Sequence, residues 1–285
     1  VQQQQQILLI GLAVSLVLLA AVAAFTLHSS DRVGQQMGAI GQSLMQSQRL
    51  AKSVSQAVVG NPQAFPDVQE SASTLGRNVR GLKAGDDALR IDALDGGFQE
   101  ELDKIVPLVD RADKSAAVVI AQQKVLTQIG ASLRQINRQS GDLLELAESV
   151  ATLKLQQNAP ANEISAAGQL VMLSQRIGKS STEFLTIDGV SAEAVFLMGK
   201  DLNTFKDLAQ GLLQGSGELR LAGARDPQVR QQLEALIKLF EQTRTQAGAV
   251  LANLQGLVTA RDAQNAIIND SEPLRRSLEQ LQQRV

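Results

Sequence analysis

The stretch GQSLMQSQRLAKS at residues 41–53 occurs a second time, with few changes, as GQLVMLSQRIGKS at residues 168–180. Eight of the thirteen positions are identical, and the two copies lie 127 residues apart. Most of the remaining chain is built from Leu, Ala, Gln and Val, residues that replace one another easily in packed helices. A repeat this close in such a background indicates that one module has been duplicated.

The duplication extends beyond the motif. Each copy of the motif is followed by a short turn, a helical stretch of about 20 residues, a loop rich in Gly and Asp, and a long helical stretch. Within this later part, Asp95 matches Asp226 at a spacing of 131 residues, four more than the spacing of the motif. A loop of different length explains both spacings, and we predict two duplicated modules at about 30–128 and about 129–268.

Apolar and small residues recur along both motif helices in steps of four and three, the spacing of a coiled-coil seam. The first seam consists of Val33, Met37, Ile40, Leu44, Ser47, Ala51, Val54 and Val58, and the second of Ile164, Ala167, Val171, Ser174, Gly178, Ser181 and Leu185. Small residues stand at equivalent places, since Ser47 corresponds to Ser174 and Ala51 to Gly178. We expect them to let neighbouring helices approach closely, and the fold class to be all-α.

A very long third helix is predicted from Phe98 to Gln157. Its seam skips between Gln123 and Ile129, as in a coiled-coil stammer. A helix of about 60 residues spans roughly 90 Å, which is the height of two bundles. We therefore predict two stacked four-helix bundles that share long helices, with the exchange of partners near Gly130.

The stretch ILLIGLAVSLVLLAAVAAFTL, residues 7–27, contains 21 residues and no charge. A membrane-spanning helix needs about 20 apolar residues, whereas the apolar region of a cleaved signal peptide has only about 7–15. We therefore predict a transmembrane helix within residues 1–27, followed by a helical region at 28–285. The last helix is predicted from Pro227 to Val285, with an interruption near Pro273. Its end, residues 269–285, is predicted to return toward the membrane, as in part of a longer receptor.

The composition argues against several functional classes. A net charge of −2 without a basic stripe argues against nucleic-acid binding. The chain has no cysteine, which excludes disulfides and thiolate chemistry. Its one histidine, His28, stands at the end of the apolar stretch, where we interpret it as a boundary residue. The usual side chains for acid–base and nucleophilic catalysis are thus missing, and we expect neither an enzyme nor a metal or other cofactor.

The polar residues of the motif are the candidate site for ligand binding or signalling. They are Gln42, Ser47, Gln48, Arg49 and Lys52 in the first copy, and Gln169, Ser174, Gln175, Arg176 and Lys179 in the second. Periodicity alone is also compatible with small residues that pack and charged residues that are simply solvated. Both interpretations stay open at this point.

The paired SQR-x-x-K helices behind one apolar span resemble the N-terminal sensor region of the PilJ family, the methyl-accepting chemotaxis transducers of type IV pili. The closest part is MGAIGQSLMQSQRLAKSVSQAVVGNPQAF, residues 37–65. The resemblance implies a homodimeric periplasmic sensor in the inner membrane, followed by a second span, a HAMP linker and a methyl-accepting hairpin. It also implies coupling to a CheA-like kinase and a CheW-like adaptor, and a small molecule, a surface or pilin as the stimulus.

The motif is also similar to the ligand-binding helix of nitrate and nitrite sensor kinases, in which an Arg directly before the Met holds the anion. At that place this chain has Leu44 and Val171. A buried nitrate would need a charged donor there, so we expect no tight nitrate binding. The input domain of such a histidine kinase and a passive helical scaffold are the alternative functions.

Overall fold

The computed structural model describes residues 2–186 and 192–285, with the side chains of residues 2–13, 24, 25, 27, 28 and 192 left aside. Within these residues the chain forms helices and no β-strand, which confirms the all-α prediction. The helices are α1 (Gln2–Val58), α2 (Ala64–Ala84), α3 (Gln99–Ala121), α4 (Gln123–Gln156), α5 (Ala161–Phe184), α6 (Ala192–Gln214), α7 (Pro227–Ala252) and α8 (Leu254–Arg284).

The helices belong to two compact units. The first contains Val1–Lys52, Pro66–Ala117 and Asn265–Val285, and the second contains Ser53–Phe65 and Val118–Gln264. Each unit includes one copy of the motif, on the part of α1 up to Lys52 in the first and on α5 in the second. The duplicated modules and the stacking of two four-helix bundles stay predictions.

In the second unit each of four helices contacts two of the others. Helix α4 packs against α5 and α7, and α6 packs against the same two helices. The rings of Phe205 and Phe240 stack between α6 and α7 with centroids 4.7 Å apart. The predicted seam of α4 is buried throughout: Ile129, Leu133, Ile136, Ser140, Leu143, Ala147 and Val150. Burial of this aliphatic face is the main source of stability of such a helix.

In the first unit the buried face of α1 departs from the predicted seam. Val33 was predicted to be buried but is 42% exposed. Among the described side chains of α1 in this unit, three polar residues outside the predicted seam are buried: Gln36, Ser43 and Gln46. The Gln36 amide donates to the carbonyl oxygen of Asp92 at 3.0 Å, and the Ser43 hydroxyl donates to that of Ala39 at 2.8 Å. A hydropathy pattern assigns polar residues to the surface, although hydrogen bonds like these allow them to be buried.

The long third and last predicted helices are each divided in two. The first division is at Gln122, whose N–H lies within hydrogen-bond distance of both the Val118 and Val119 carbonyls. The second is at Asn253, 131 residues later, and not near Pro273 as predicted. Pro273 lies inside α8, which continues through it. A proline removes one backbone hydrogen bond, and the packing of α8 tolerates that loss.

The two Gly-rich loops have the same backbone conformation. Asp86 and Ile91 form an isolated antiparallel bridge in the first loop, as Ser216 and Leu221 do in the second. In both loops the intervening arginine, Arg90 or Arg220, has a left-handed backbone with φ of 54°. The Leu-Arg pair that occurs in both loops is the sequence signal of this conformation. The prediction of loops rich in Gly and Asp did not include it.

The predicted membrane-spanning segment, residues 7–27, lies partly outside the described side chains. Its described large apolar side chains are exposed, among them Leu16 and Leu19. In the described part of the chain, no helix is long and apolar enough to cross a membrane.

Candidate functional site

The motif helices α1 and α5 expose the same side chains. Four pairs of identical residues are exposed in both copies: Gln42 and Gln169, Met45 and Met172, Gln48 and Gln175, and Lys52 and Lys179. The two methionines are 56% and 46% exposed, although thioether side chains of this size are usually buried. These four repeated pairs thus form a surface and not a core. We call these exposed residues, together with Arg49 and Arg176, the motif face.

The residues that differ between the copies are the ones that pack inside. At all five differing positions the residue is buried or half-buried in both copies; the pairs are Ser43 and Leu170, Leu44 and Val171, Gln46 and Leu173, Leu50 and Ile177, and Ala51 and Gly178. Exposed positions tolerate substitution at a cost usually within about 0.5 kcal/mol. Packing therefore does not account for the identity of the exposed pairs.

The motif serines pack inside their own units and donate to backbone carbonyls of their own helices. Ser47 donates to the carbonyl oxygen of Leu44 at 2.8 Å, and Ser174 donates to that of Leu170 at 2.9 Å. Both serines are buried, as the seam predicted. Gly178 has the close approach expected of a small seam residue, since a Cβ built on it would lie 2.5 Å from the hydroxyl oxygen of Ser140 on α4.

Each motif arginine forms an ion pair with the helix that follows it. Arg49 contacts a carboxylate oxygen of Asp67 on α2 at 2.7 Å and one of Glu70 at 3.3 Å. Arg176 contacts a carboxylate oxygen of Asp201 on α6 at 3.0 Å. The sequence repeat does not show this similarity, because the residue 127 positions after Asp67 is an alanine and the one 127 positions before Asp201 is a threonine.

The two ion pairs differ in their surroundings. The side chains of Asp67 and Glu70 are 45% and 61% exposed, whereas that of Asp201 is 6% exposed. Burial raises the pKa of the Asp201 carboxyl above its ordinary value, and the positive charges of Arg176 and Lys200 oppose this shift without cancelling it. In the second copy, the buried charge of the Asp201 carboxylate therefore depends on Arg176 for its stabilisation. In the first copy, the carboxylates are exposed and do not depend on Arg49 in this way.

Two further contacts hold the edges of the motif face. The side-chain amide of Asn78 on α2 donates to the Gln42 carbonyl oxygen at 2.9 Å. On α5, Lys179 lies 3.7 Å from a carboxylate oxygen of Glu183, one turn further along the same helix.

Among the described residues, no group of three His, Cys, Asp or Glu side chains is placed to hold a metal ion.

Replacement of Arg176 should reveal this dependence. Because the pKa of Asp201 is raised in the folded state, the folded chain binds more protons than the unfolded chain between the ordinary and the raised pKa, and stability falls as the pH rises through this window. We expect Arg176→Ala to cost about 1–3 kcal/mol at neutral pH, since it leaves a buried charge without its partner. The loss should become smaller at acidic pH, where Asp201 is protonated.

The measurement is thermal unfolding at several pH values. Arg49→Ala is the matched control and should leave the melting temperature nearly unchanged, because its partners are exposed. The double variant with Arg176→Ala and Asp201→Asn should recover most of the loss and its pH dependence. An equal loss for Arg176→Ala at all pH values would contradict the role assigned to Asp201.

The comparison with known proteins assigns this helical chain to a family. The PilJ family model, described as "Type IV pili methyl-accepting chemotaxis transducer N-term", matches residues 25–135 and 153–266, and each matched stretch contains one copy of the motif. The chain belongs to the PilJ family. It represents the N-terminal region of such a transducer, and PilJ-family sensor regions are not enzymes.

Two curated relatives agree with this assignment. Protein PilJ of Pseudomonas aeruginosa is 24% identical over 267 residues, which is 94% of this chain and 39% of that protein. The putative methyl-accepting chemotaxis protein AlkN of Alcanivorax borkumensis is 20% identical over 268 residues, 94% of this chain and 38% of that protein. The chain thus spans about two fifths of the length of these relatives.

Proposed function

We propose that this PilJ-family chain is the signal-input region of a methyl-accepting chemotaxis receptor that controls twitching by type IV pili. The observation that carries the proposal is the identity of the motif face, which is exposed or half-exposed in both units while five packed positions beneath it differ. A passive scaffold needs its buried seams and has no requirement for a repeated surface. An exposed surface that is repeated in both copies of the motif favours recognition of the stimulus as the first step of signalling.

The proposed organisation follows the sequence predictions. Residues 7–27 would span the inner membrane, residues 28–285 would lie in the periplasm as two four-helix bundles, and residues 269–285 would return toward the membrane. The receptor would be a homodimer. A part outside this chain would couple it to a CheA-like kinase and a CheW-like adaptor, with pilin as one candidate stimulus.

The proposed mechanism is a small shift or rotation of α1 along its axis. Helix α1 runs without interruption from Gln2 to Val58 and includes both the apolar segment and the first motif. A contact made at Gln48 or Lys52 therefore acts on the same rigid element as the proposed membrane span. Helix shifts of about 1–2 Å are a known means of signal transmission.

Variants of the motif face test the proposal. Gln48→Ala and Lys52→Ala remove exposed side chains, so each should change the free energy of unfolding by no more than about 0.5 kcal/mol. The melting temperature should therefore change little. Twitching of cells that carry the full-length variants should nevertheless be altered. Gln69→Ala, an exposed glutamine on α2, is the matched control and should affect neither. Normal melting with normal twitching in both motif variants would contradict the proposal.

The second candidate function, nitrate sensing by a histidine-kinase input domain, is tested directly. Leu44 and Val171 are half-buried at the place where the similar kinases carry the anion-binding arginine. We expect calorimetry to detect no micromolar nitrate binding, which would correspond to about −8 kcal/mol. The control is Leu44→Arg, which supplies the missing donor. Tight nitrate binding by the unmodified chain would favour this alternative.

A further inference from the structure

The helices that follow the two motif copies, α2 and α6, correspond residue by residue. The loops after them have the same conformation at a spacing of 130 residues, since the bridge between Asp86 and Ile91 corresponds to that between Ser216 and Leu221. This spacing relates buried residues to buried residues: Val68 to Met198, Ala72 to Leu202, Leu75 to Phe205, Val79 to Ala209 and Leu82 to Leu212. Each core position of α2 therefore has a counterpart on α6.

The core of the first unit is polar at positions where the core of the second is apolar. Gln46 on α1 and Asn78 on α2 are only 4% and 2% exposed. Their counterparts are Leu173 on α5 and Leu208 on α6, which are also buried. Burial stabilises a leucine, whereas a buried amide destabilises the fold unless it is hydrogen-bonded.

This polar layer of the first unit is incompletely hydrogen-bonded. The side-chain oxygen of Gln46 and the hydroxyl oxygen of Ser71 are buried and have no hydrogen-bond partner among the described residues. The counterpart of Ser71 is Asp201, whose carboxylate is paired with Arg176. Buried atoms without a partner also occur in the second unit, on α4 and α8, but the described side chains of α5 and α6 have none. The packing of α1 with α2 is therefore weaker than that of α5 with α6.

The core of the first unit also contains a small cavity. Its volume is about 10 Å³, close to the space that one water needs, and Leu75 and Ala112 are among its lining residues. Their counterparts in the second unit are the larger residues Phe205 and Thr243. The Thr243 hydroxyl there donates to the side-chain oxygen of Gln139 at 3.0 Å. The first core thus has room for water next to polar atoms that lack a partner.

One hydrogen bond connects the motif face to this polar layer. The side-chain amide of Asn78 donates to the side-chain oxygen of Gln42 at 2.9 Å, and Gln42 is exposed on the motif face. The buried Asn78 therefore depends on a side chain that a stimulus can reach. The second unit cannot form this bond: Gln169 is exposed as well, but the counterpart of Asn78 is Leu208, which has no group to donate.

We propose that the hydrogen bond between Gln42 and Asn78 is the switch of the receptor, and that the first unit is the one that changes. A stimulus that donates a hydrogen bond to the Gln42 oxygen displaces Asn78 from it. The layer around Gln46 and Ser71 then loosens and admits water, while the apolar core of the second unit stays packed. The inference rests on the proposed function and couples its motif face to an element with two arrangements.

Amide hydrogen exchange of the 285-residue chain in phospholipid vesicles tests the coupling. Residues 71–82 of α2 should be about tenfold less protected than residues 201–212 of α6, because their packing is weaker. Gln42→Ala leaves Asn78 without its partner and should speed exchange in α2 about tenfold further. Gln169→Ala is the matched control and should leave exchange in α6 unchanged.

Two further variants make the test specific. Asn78→Leu gives the first unit the residue of the second and should slow exchange in α2 about tenfold, since no buried amide remains. Adding Gln42→Ala to Asn78→Leu should then have no effect. Leu50→Ile is the control, because it also introduces the residue of the second unit but removes no polar group; exchange should change less than about twofold.

The outcomes separate the inference from the proposed function. Equal protection of α2 and α6, or equal effects of Gln42→Ala and Gln169→Ala, would overturn the inference. An effect of Gln42→Ala that persists beside Asn78→Leu would also overturn it. In cells, full-length Asn78→Leu should hold twitching in one state. Normal twitching of that variant, where Gln48→Ala alters twitching, would overturn the switch and leave the proposed function standing.

Discussion

Gly130→Ala should lower the melting temperature by roughly 6–12 °C, corresponding to a loss of about 3 kcal/mol. In the second unit, the turn after α1 approaches α4 backbone to backbone. A Cβ built on Gly130 would lie 2.6 Å from the carbonyl oxygen of Val59 and 2.8 Å from the Cα of Gly60. Because the neighbouring atoms are backbone atoms, no side-chain rotation can relieve the overlap.

The partner glycine should be equally sensitive. A Cβ on Gly60 would lie 2.4 Å from the Leu126 carbonyl oxygen, and the φ of Gly60 is +82°, a conformation that alanine adopts only with strain. Gly141→Ala is the matched control on the same helix α4, where a Cβ would meet nothing within 4 Å. That variant should gain up to about 1 kcal/mol. Equal melting temperatures for Gly130→Ala and Gly141→Ala would contradict the close approach.

Glu163→Ala should destabilise the chain by about 3–5 kcal/mol, because it leaves the ammonium group of Lys154 buried without a counter-charge. The Lys154 ammonium donates to a carboxylate oxygen of Glu163 at 2.7 Å, and the two side chains are only 7% and 11% exposed. The pair joins the end of α4 to the first turn of α5. Denaturant unfolding followed by circular dichroism measures the loss.

Two further variants make this prediction specific. Replacing both residues, with Lys154→Met and Glu163→Leu, removes the uncompensated charge and should restore most of the stability. Glu234→Ala, at an exposed pair with Arg230 in the same unit, should cost no more than about 1 kcal/mol. A loss for Glu163→Ala as small as that for Glu234→Ala would show that the buried pair contributes little.

Much of the fold follows from local patterns. The periodicity of α4 predicts its buried face correctly because one helix face decides burial when its residues are uniformly apolar. The start of α7 at Pro227 coincides with the predicted start of the last helix, since proline acts within one turn. The division at Asn253 could not be predicted, because it has no such local signal and Pro273 offered a misleading one.

The candidate site was found from the sequence, but its chemistry was not. Identity between residues 41–53 and residues 168–180 marks the motif without any structure. The partners of Arg49 and Arg176 come from non-equivalent positions on other helices, so no repeat predicts them. Nor does any pattern distinguish an exposed methionine from a buried one, because the same steps of four and three describe both sides of α1.

The sequence by itself determined the helical class and the repeat of the motif, because periodicity and identity are properties of the chain. The tertiary structure alone decided which face of α1 is buried, how deeply each carboxylate is placed and where two glycine backbones meet. Those features depend on contacts between residues far apart in the chain, such as Gly60 with Gly130 and Arg176 with Asp201. The free energy of such contacts depends on burial, which a linear sequence does not contain.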